Sequence, residues 1–247
     1  PRFDYDPVTL APKGLLIEEQ RTNLLTYSED LTNAAWGGAG LTVTANSVAS
    51  PSGTTTADTI NEGTTNSLHQ LQQSGFTYTS GVSYTQSVYA KADTATVVQM
   101  LYVSTAFGAN AFANYNLATG VLGTVGASAT ATITDVGNGW YRLTLTAPAT
   151  LTVAGTFGAF VFLCDNNTSA VRAPTYTGTN KQLYVWGAQL EAGDKATAYI
   201  PTVASQVTRA ADSATMIGNN FARWYNGNTN TFYTEVSYYG QLIGSAI

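Results

Sequence analysis

The stretch "WYRLTLTA", residues 140–147, alternates strictly between apolar and polar positions. Tyr141, Leu143, Leu145 and Ala147 fall on one face of a strand, and Trp140, Arg142, Thr144 and Thr146 fall on the other. Successive strand side chains point to opposite faces of a sheet. The pattern therefore predicts one face on a core and one in water, as in an antiparallel sheet. The residues leading into it, "DVGNGW" (135–140), place Gly and Asn where a tight turn needs positive φ.

Working outward, long runs of helical period are missing. Short segments rich in Val, Thr, Tyr and Phe recur between Gly, Asn, Asp, Ser and Pro. Strands are predicted at "LTVTA" (41–45), "SLHQLQQ" (67–73), "SYTQSVYAKA" (83–92), "TVVQMLYVS" (96–104) and "AFANYNL" (111–117). Further strands are predicted at "TATITDV" (130–136), "TFGAFVFL" (156–163) and "QLYVWGAQLE" (182–191). "TFGAFVFL" is apolar on both faces and reads as a central strand. Closely spaced strands without helices between them define the expected fold: all-β, an antiparallel jelly-roll β-sandwich with an extended N-terminal arm.

The composition agrees. Of 247 residues, 10% are charged, against about 25% in an average soluble domain. Thr, Ser, Asn, Gln and Gly supply the polar surface, which suits extracellular β-proteins and fibrous assemblies. The net charge of -5 and the scattering of the basic residues argue against nucleic acid, whose phosphates need clustered Lys and Arg. No apolar run approaches the roughly 20 residues of a membrane span, so no membrane insertion is expected. The chain has one cysteine, Cys164, so no internal disulfide forms, and it reads as a small buried hydrophobe.

Three regions are expected. Residues 1–22 form an arm or linker that holds three of the seven prolines. Residues 23–204 form the jelly roll. Residues 205–247 form a polar linker and the start of a second β-domain, "FARWYNGNTNTFYTEVSYYGQ", with "NGN" as its turn. The chain does not begin with Met, so Pro1 is read as a processed or excised start, and the whole as a fragment.

The residues also carry a family resemblance. "RFDYDPVTLAPKGLLIEEQRTNLLTYSEDLTNAAW" resembles the opening of a recurrent module in tailed-phage and prophage structural proteins. "SYTQSVYAKA", "TDVGNGWYRLTLT" and "LYVWGAQLEAGDKATAYIPT…VTRAAD" follow in the order of that module, across roughly residues 1 to 215. The module is similar to the jelly-roll carbohydrate-binding modules that accompany polysaccharide-degrading enzymes. The tail of the chain looks like the start of a concanavalin-like lectin domain. The resemblance implies a virion component, a tail fibre or tailspike on the phage exterior. Other virion proteins and host-surface polysaccharide are its implied partners, and a homo-oligomer, a trimer, its implied state. A structural calcium ion is implied as well.

Sugars are held by aromatic rings flanked by amides, guanidinium groups or carboxylates. Tyr89, Tyr102, Trp140, Arg142 and Gln99 are the candidates, with Gln86 and Asn114 as further amides. Each also reads as a partly buried β-former whose polar atom is satisfied locally. For calcium the candidates are Glu29, Asp30 and Glu191, with Asp4, Asp6 and Asp194, against the alternative of solvated turn carboxylates. Trp186, in "KQLYVWGAQLEAG" (181–193), shares its face by period two with Tyr184, Ala188 and Leu190 and reads as core.

Catalysis is not expected. His69, the one histidine, reads as a strand-surface residue, and no G-x-S-x-G, HExxH or P-loop motif occurs. Glu18 and Glu19 point to opposite faces, so they do not form a glycosidase carboxylate pair. Three readings stay open: a non-catalytic glycan-binding virion module, a spacer or decoration domain without ligand, and a carbohydrate-binding appendage of a secreted polysaccharide-degrading enzyme or part of a tailspike hydrolase whose catalytic part is absent here.

Overall fold

The computed structural model describes residues 2–6, 9–163, 166 and 168–213, with the backbone alone over 156–163. Cys164 and the expected second β-domain at 221–241 lie outside the described residues. In chain order the first strands are β1 (Arg2–Tyr5), β2 (Pro12–Leu16), β3 (Arg21–Asn23), β4 (Trp36–Ala39), β5 (Leu41–Val48) and β6 (Ala57–Glu62). β7 (Asn66–Ser67), β8 (Gln70–Tyr78), β9 (Ser83–Ala92) and β10 (Val97–Leu101) lead to one helical turn, α1 (Ser104–Phe107). β11 (Phe112–Asn116), β12 (Val121–Val125), β13 (Thr130–Asp135) and β14 (Trp140–Pro148) follow. β15 (Val153–Leu163), β16 (Tyr176–Thr177), β17 (Gln182–Ala192) and β18 (Val207–Arg209) complete the set.

Two six-stranded antiparallel sheets form the sandwich. Their orders are β12-β11-β10-β15-β8-β4 and β13-β14-β9-β17-β6-β5. β15 lies between β10 and β8, so "TFGAFVFL" is central in its sheet, as expected. One core cluster joins Leu71, Tyr78, Val98, Met100 and Tyr115 of the first sheet to Ile60, Val88, Leu143, Leu145 and Leu190 of the second. Polar groups inside it are satisfied across the sheets. Tyr115 Oη donates to the Thr144 carbonyl at 2.6 Å, and Gln86 Nε2 to the Leu101 carbonyl at 2.8 Å.

β14 behaves as its alternation requires: Leu143, Leu145 and Ala147 are fully buried in that core. The turn before it carries positive φ at Gly137, Asn138 and Gly139, so the Gly-Asn-Gly sequence is used as read.

β17 departs from period two. Trp186 pairs with Tyr89, but the next partners are Gln189 and Ser87, so two residues of β17 oppose Val88 alone. This is a β-bulge, and Gly187 within it has φ +64°. The bulge reverses the phase of the strand. Leu183 and Val185 before it, and Ala188 and Leu190 after it, all reach the main core. Trp186 is buried, but on the outer face of the second sheet, with Ala57 and Trp140. The expected shared face of Trp186 with Ala188 and Leu190 is thus corrected.

The arm differs from the expectation too. It is not extended: β1 folds back on β2 as an antiparallel ribbon, with Phe3 opposite Leu15 and Arg2 opposite Leu16. Phe3, Tyr5, Leu15 and Ile17 are exposed, while Arg2 and Leu16 face inward. The polar stretch after residue 204 is no free linker. β18 returns to pair with β3, Arg209 opposite Arg21, so the boundaries drawn at 22 and 204 cut a two-stranded sheet. In this structure α1 is the sole helix among the described residues, and no described helix is long and apolar enough to cross a membrane.

Candidate functional site

The outward face of the second sheet carries the site. Three strands bring their polar rows together there. β13 contributes Thr130, Thr132 and Thr134, which register with Thr146, Thr144 and Arg142 of β14. The same three β14 residues register with Thr85, Ser87 and Tyr89 of β9. Cross-strand hydroxyls bond to one another: Thr132 to Thr144 at 2.6 Å and Thr85 to Thr146 at 2.8 Å. The result is a flat floor of alcohols with one cation set into it.

That cation is fixed. Arg142 Nη2 donates to Ser87 Oγ at 3.0 Å and to the Thr197 carbonyl at 2.6 Å. Its guanidinium carbon lies 5.5 Å from the centre of the Tyr89 ring, within cation–π range. The other face of the Tyr89 environment is aromatic, with Trp186 at 5.3 Å and Tyr199 at 6.3 Å between ring centres.

Residues 194–199 form one wall. The buried Glu191 carboxylate shapes this segment by accepting from the Thr197 N–H at 3.0 Å and from the Thr197 hydroxyl. Tyr199 Oη is 2.6 Å from Ser28 Oγ and donates to Glu29 Oε1 at 3.2 Å. Burial first, and then the Glu29 charge, push the Tyr199 phenol well above its ordinary value.

The arm forms the roof. Glu18 Oε1 accepts from the Ala198 N–H at 2.7 Å, and Glu18 Oε2 pairs with Arg2 at 2.8 Å and Arg209 at 3.1 Å. Arg2 also pairs with Asp212, which holds that carboxyl below its ordinary range. Floor, wall and roof enclose a cleft of about 590 Å³, lined by the threonines, Tyr89, Arg142, Tyr199, Asp194, Lys195 and the arm residues Asp4, Tyr5 and Lys13.

Of the sugar candidates, the structure brings Tyr89 and Arg142 together in this cleft. Trp140 is on the same face but only 2% exposed, packed against Ala57 and Trp186, and offers no open ring. Tyr102 lies in the interior, its hydroxyl donating to the Leu145 carbonyl at 3.2 Å and its ring stacked on Phe107. Gln99 is on the other sheet, fully buried. It donates to Asn114 at 2.8 Å and to the Val171 carbonyl at 3.1 Å, and accepts from the Ala173 N–H, fastening segment 169–173.

The carboxylates named for calcium do not converge. Glu191 is engaged by Thr197, Glu29 by Tyr199, and the exposed Asp30 by the Thr32 hydroxyl at 2.7 Å. Among the described residues no group of three His, Cys, Asp or Glu side chains gathers to hold a metal ion.

His69 is corrected as well. It is fully buried rather than on the strand surface, and its Nδ1 and Nε2 lie 2.6 and 3.2 Å from the carbonyls of Gly40 and Tyr176. The residues that sequence reasoning missed are Thr130, Thr132, Thr134, Tyr5 and, apart from Asp194, the 194–199 wall. The alternation of "TATITD" was the available signal for the threonines.

No family model and no curated protein matches this chain. Among solved structures it is similar to the enzymatically active domain of tailspike protein 4 from bacteriophage CBA120. The identity is 14% and the TM-score 0.40, over 68% of this chain and 21% of that one. The chain thus spans about a fifth of the length of that structure. One expectation is corrected here. The chain was expected to lack catalysis, whereas the solved structure it matches is described as enzymatically active, so that exclusion is withdrawn.

Proposed function

We propose that this chain is part of a bacteriophage tail protein, exposed on the virion, and that it holds a host-surface saccharide in the cleft between the arm and the outer sheet face. The observation that carries this reading is the cleft itself. A sugar presents many hydroxyls in fixed directions. A floor of cross-linked threonine hydroxyls answers them with paired donors and acceptors, and Tyr5, 51% exposed on the roof, offers an open ring. The resemblance in motif order to phage structural modules supports the tail assignment.

Single sites of this kind bind weakly, and repetition on a virion multiplies their effect. The test is titration of the intact chain with polysaccharide from host cell surfaces, alongside Tyr5→Ala and a Thr132→Val/Thr144→Val double variant. Binding that falls about tenfold or more in both variants, with melting temperatures unchanged, supports the site. Equal binding by all three proteins sinks it. Analysis of the same mixtures for shortened oligosaccharides reads whether the bound chain is also cleaved.

A further inference from the structure

We infer that the saccharide held in this cleft is acidic and that Arg142 receives its carboxylate. The inference rests on the saccharide reading above. It starts from the way the charges of the cleft are paired. Three cations line the cleft: Lys13, Lys195 and Arg142. Lys13 pairs with Asp6 at 3.6 Å, and Lys195 with Glu19 at 3.9 Å. Arg142 has no carboxylate within ion-pair distance among the described residues; its protein acceptors are a hydroxyl and a carbonyl, both taken by Nη2.

Of the remaining nitrogens, Nη1 alone is within a ligand's reach. Nε is buried without a partner, and Nη1 has none among the described residues. Nε is similarly orphaned in Arg21, Arg172 and Arg209, but of these four Arg142 alone lines the cleft. A cation without a counter-ion favours an incoming anion, and the unpartnered Nη1 can donate one charge-assisted hydrogen bond to a carboxylate oxygen.

The carboxylates lining the cleft do not fill that role. Glu18 is bound by Arg2 and Arg209, Asp4 accepts from the Tyr5 N–H at 3.0 Å, and Asp194 is exposed and not paired with Arg142. Arg142 is also held before any ligand arrives, by Ser87, Thr197 and the Tyr89 ring, so little side-chain freedom is lost on binding.

The test uses the intact chain with polygalacturonate, polymannuronate and hyaluronan, each beside its carboxyl-reduced form, at fixed ionic strength. Expected is binding to at least one of the acidic polymers, weaker by about tenfold or more after reduction of the carboxyl groups. Because this comparison uses the unaltered protein, it does not depend on a variant folding. Arg142→Gln is then expected to lose most of the preference for the acidic form over the reduced one. Reduced polymers that bind as tightly as their acidic parents overturn the inference and leave the saccharide site standing. An Arg142→Gln variant that weakens both forms equally does the same, since Arg142 then only supports the floor. Binding to neither form in any pair overturns the inference together with the saccharide reading.

Discussion

A Cβ placed on Gly187 would stand 3.0 Å from Cδ2 of Tyr89, and the backbone there has φ +64°. The bulge that reverses β17 and the ring that carries Arg142 are therefore built against each other. Gly187→Ala is expected to cost about 1–2 kcal/mol from the left-handed backbone alone. The Tyr89 ring must also give by a few tenths of an ångström. Urea denaturation measures the first effect. An unchanged midpoint would show that the bulge can move elsewhere in the strand.

Trp186 is packed rather than displayed. It is 7% exposed, its ring lies 4.8 Å from Tyr199, and its Nε1 donates to Thr56 Oγ1 at 3.1 Å. Trp186→Ala is expected to lower stability by about 3–5 kcal/mol, as for other large buried aromatics. A variant of normal melting temperature with lost saccharide binding would instead make this ring a ligand contact.

Glu18 ties the roof to the wall. In Glu18→Ala, Arg2 and Arg209 lose a partner and the Ala198 N–H loses its acceptor. The expected cost is about 1–3 kcal/mol. Its location is the sharper test. Hydrogen exchange should quicken over residues 2–16 and at Ala198 while β9 and β14 stay protected. Uniform loss of protection would contradict a local role.

Acid stability should report on Glu62. Burial raises this carboxyl, but donation from the Tyr176 hydroxyl, the Thr179 and Lys181 N–H groups and the Thr179 hydroxyl outweighs it, and the net shift is downward. The folded state therefore holds the proton less tightly than the unfolded one. Its contribution is present above the ordinary value of 4.5 and is lost as pH falls through the depressed folded value. Glu62→Gln should be less stable than the parent at neutral pH by about 1–3 kcal/mol, and the gap should narrow below about pH 4.5. A gap that stays constant to acid pH would remove Glu62 from the acid transition.

Much of the framework was legible because it obeys one rule. β14 and β9 keep period two without interruption, so Arg142 and Tyr89 could be put on polar faces before their pairing was known. "TATITD" and the Gly-Asn-Gly turn likewise held the threonine floor in plain form. Trp140 was misjudged because its cover, Ala57 and Trp186, comes from distant strands. The Gly187 bulge had a signal, an isolated glycine in a strand, but period counting passed straight through it. The roof had almost none. It depends on Arg2, Glu18, Arg209 and Asp212 meeting from opposite ends of the described chain, and ion pairs leave no periodic trace.

The pairing of Arg2 with Asp212 has a mechanical consequence. Beside it, β3 and β18 run antiparallel with Arg21 opposite Arg209, so the chain enters and leaves the sandwich at one point. Tension between the two sides would not stretch the large sheets. It would peel the short β3–β18 ladder open one rung at a time, after parting the ion pairs. The sandwich thus hangs from the path of the chain like a pendant, and a modest pull would lift the roof from the cleft while the core stayed folded.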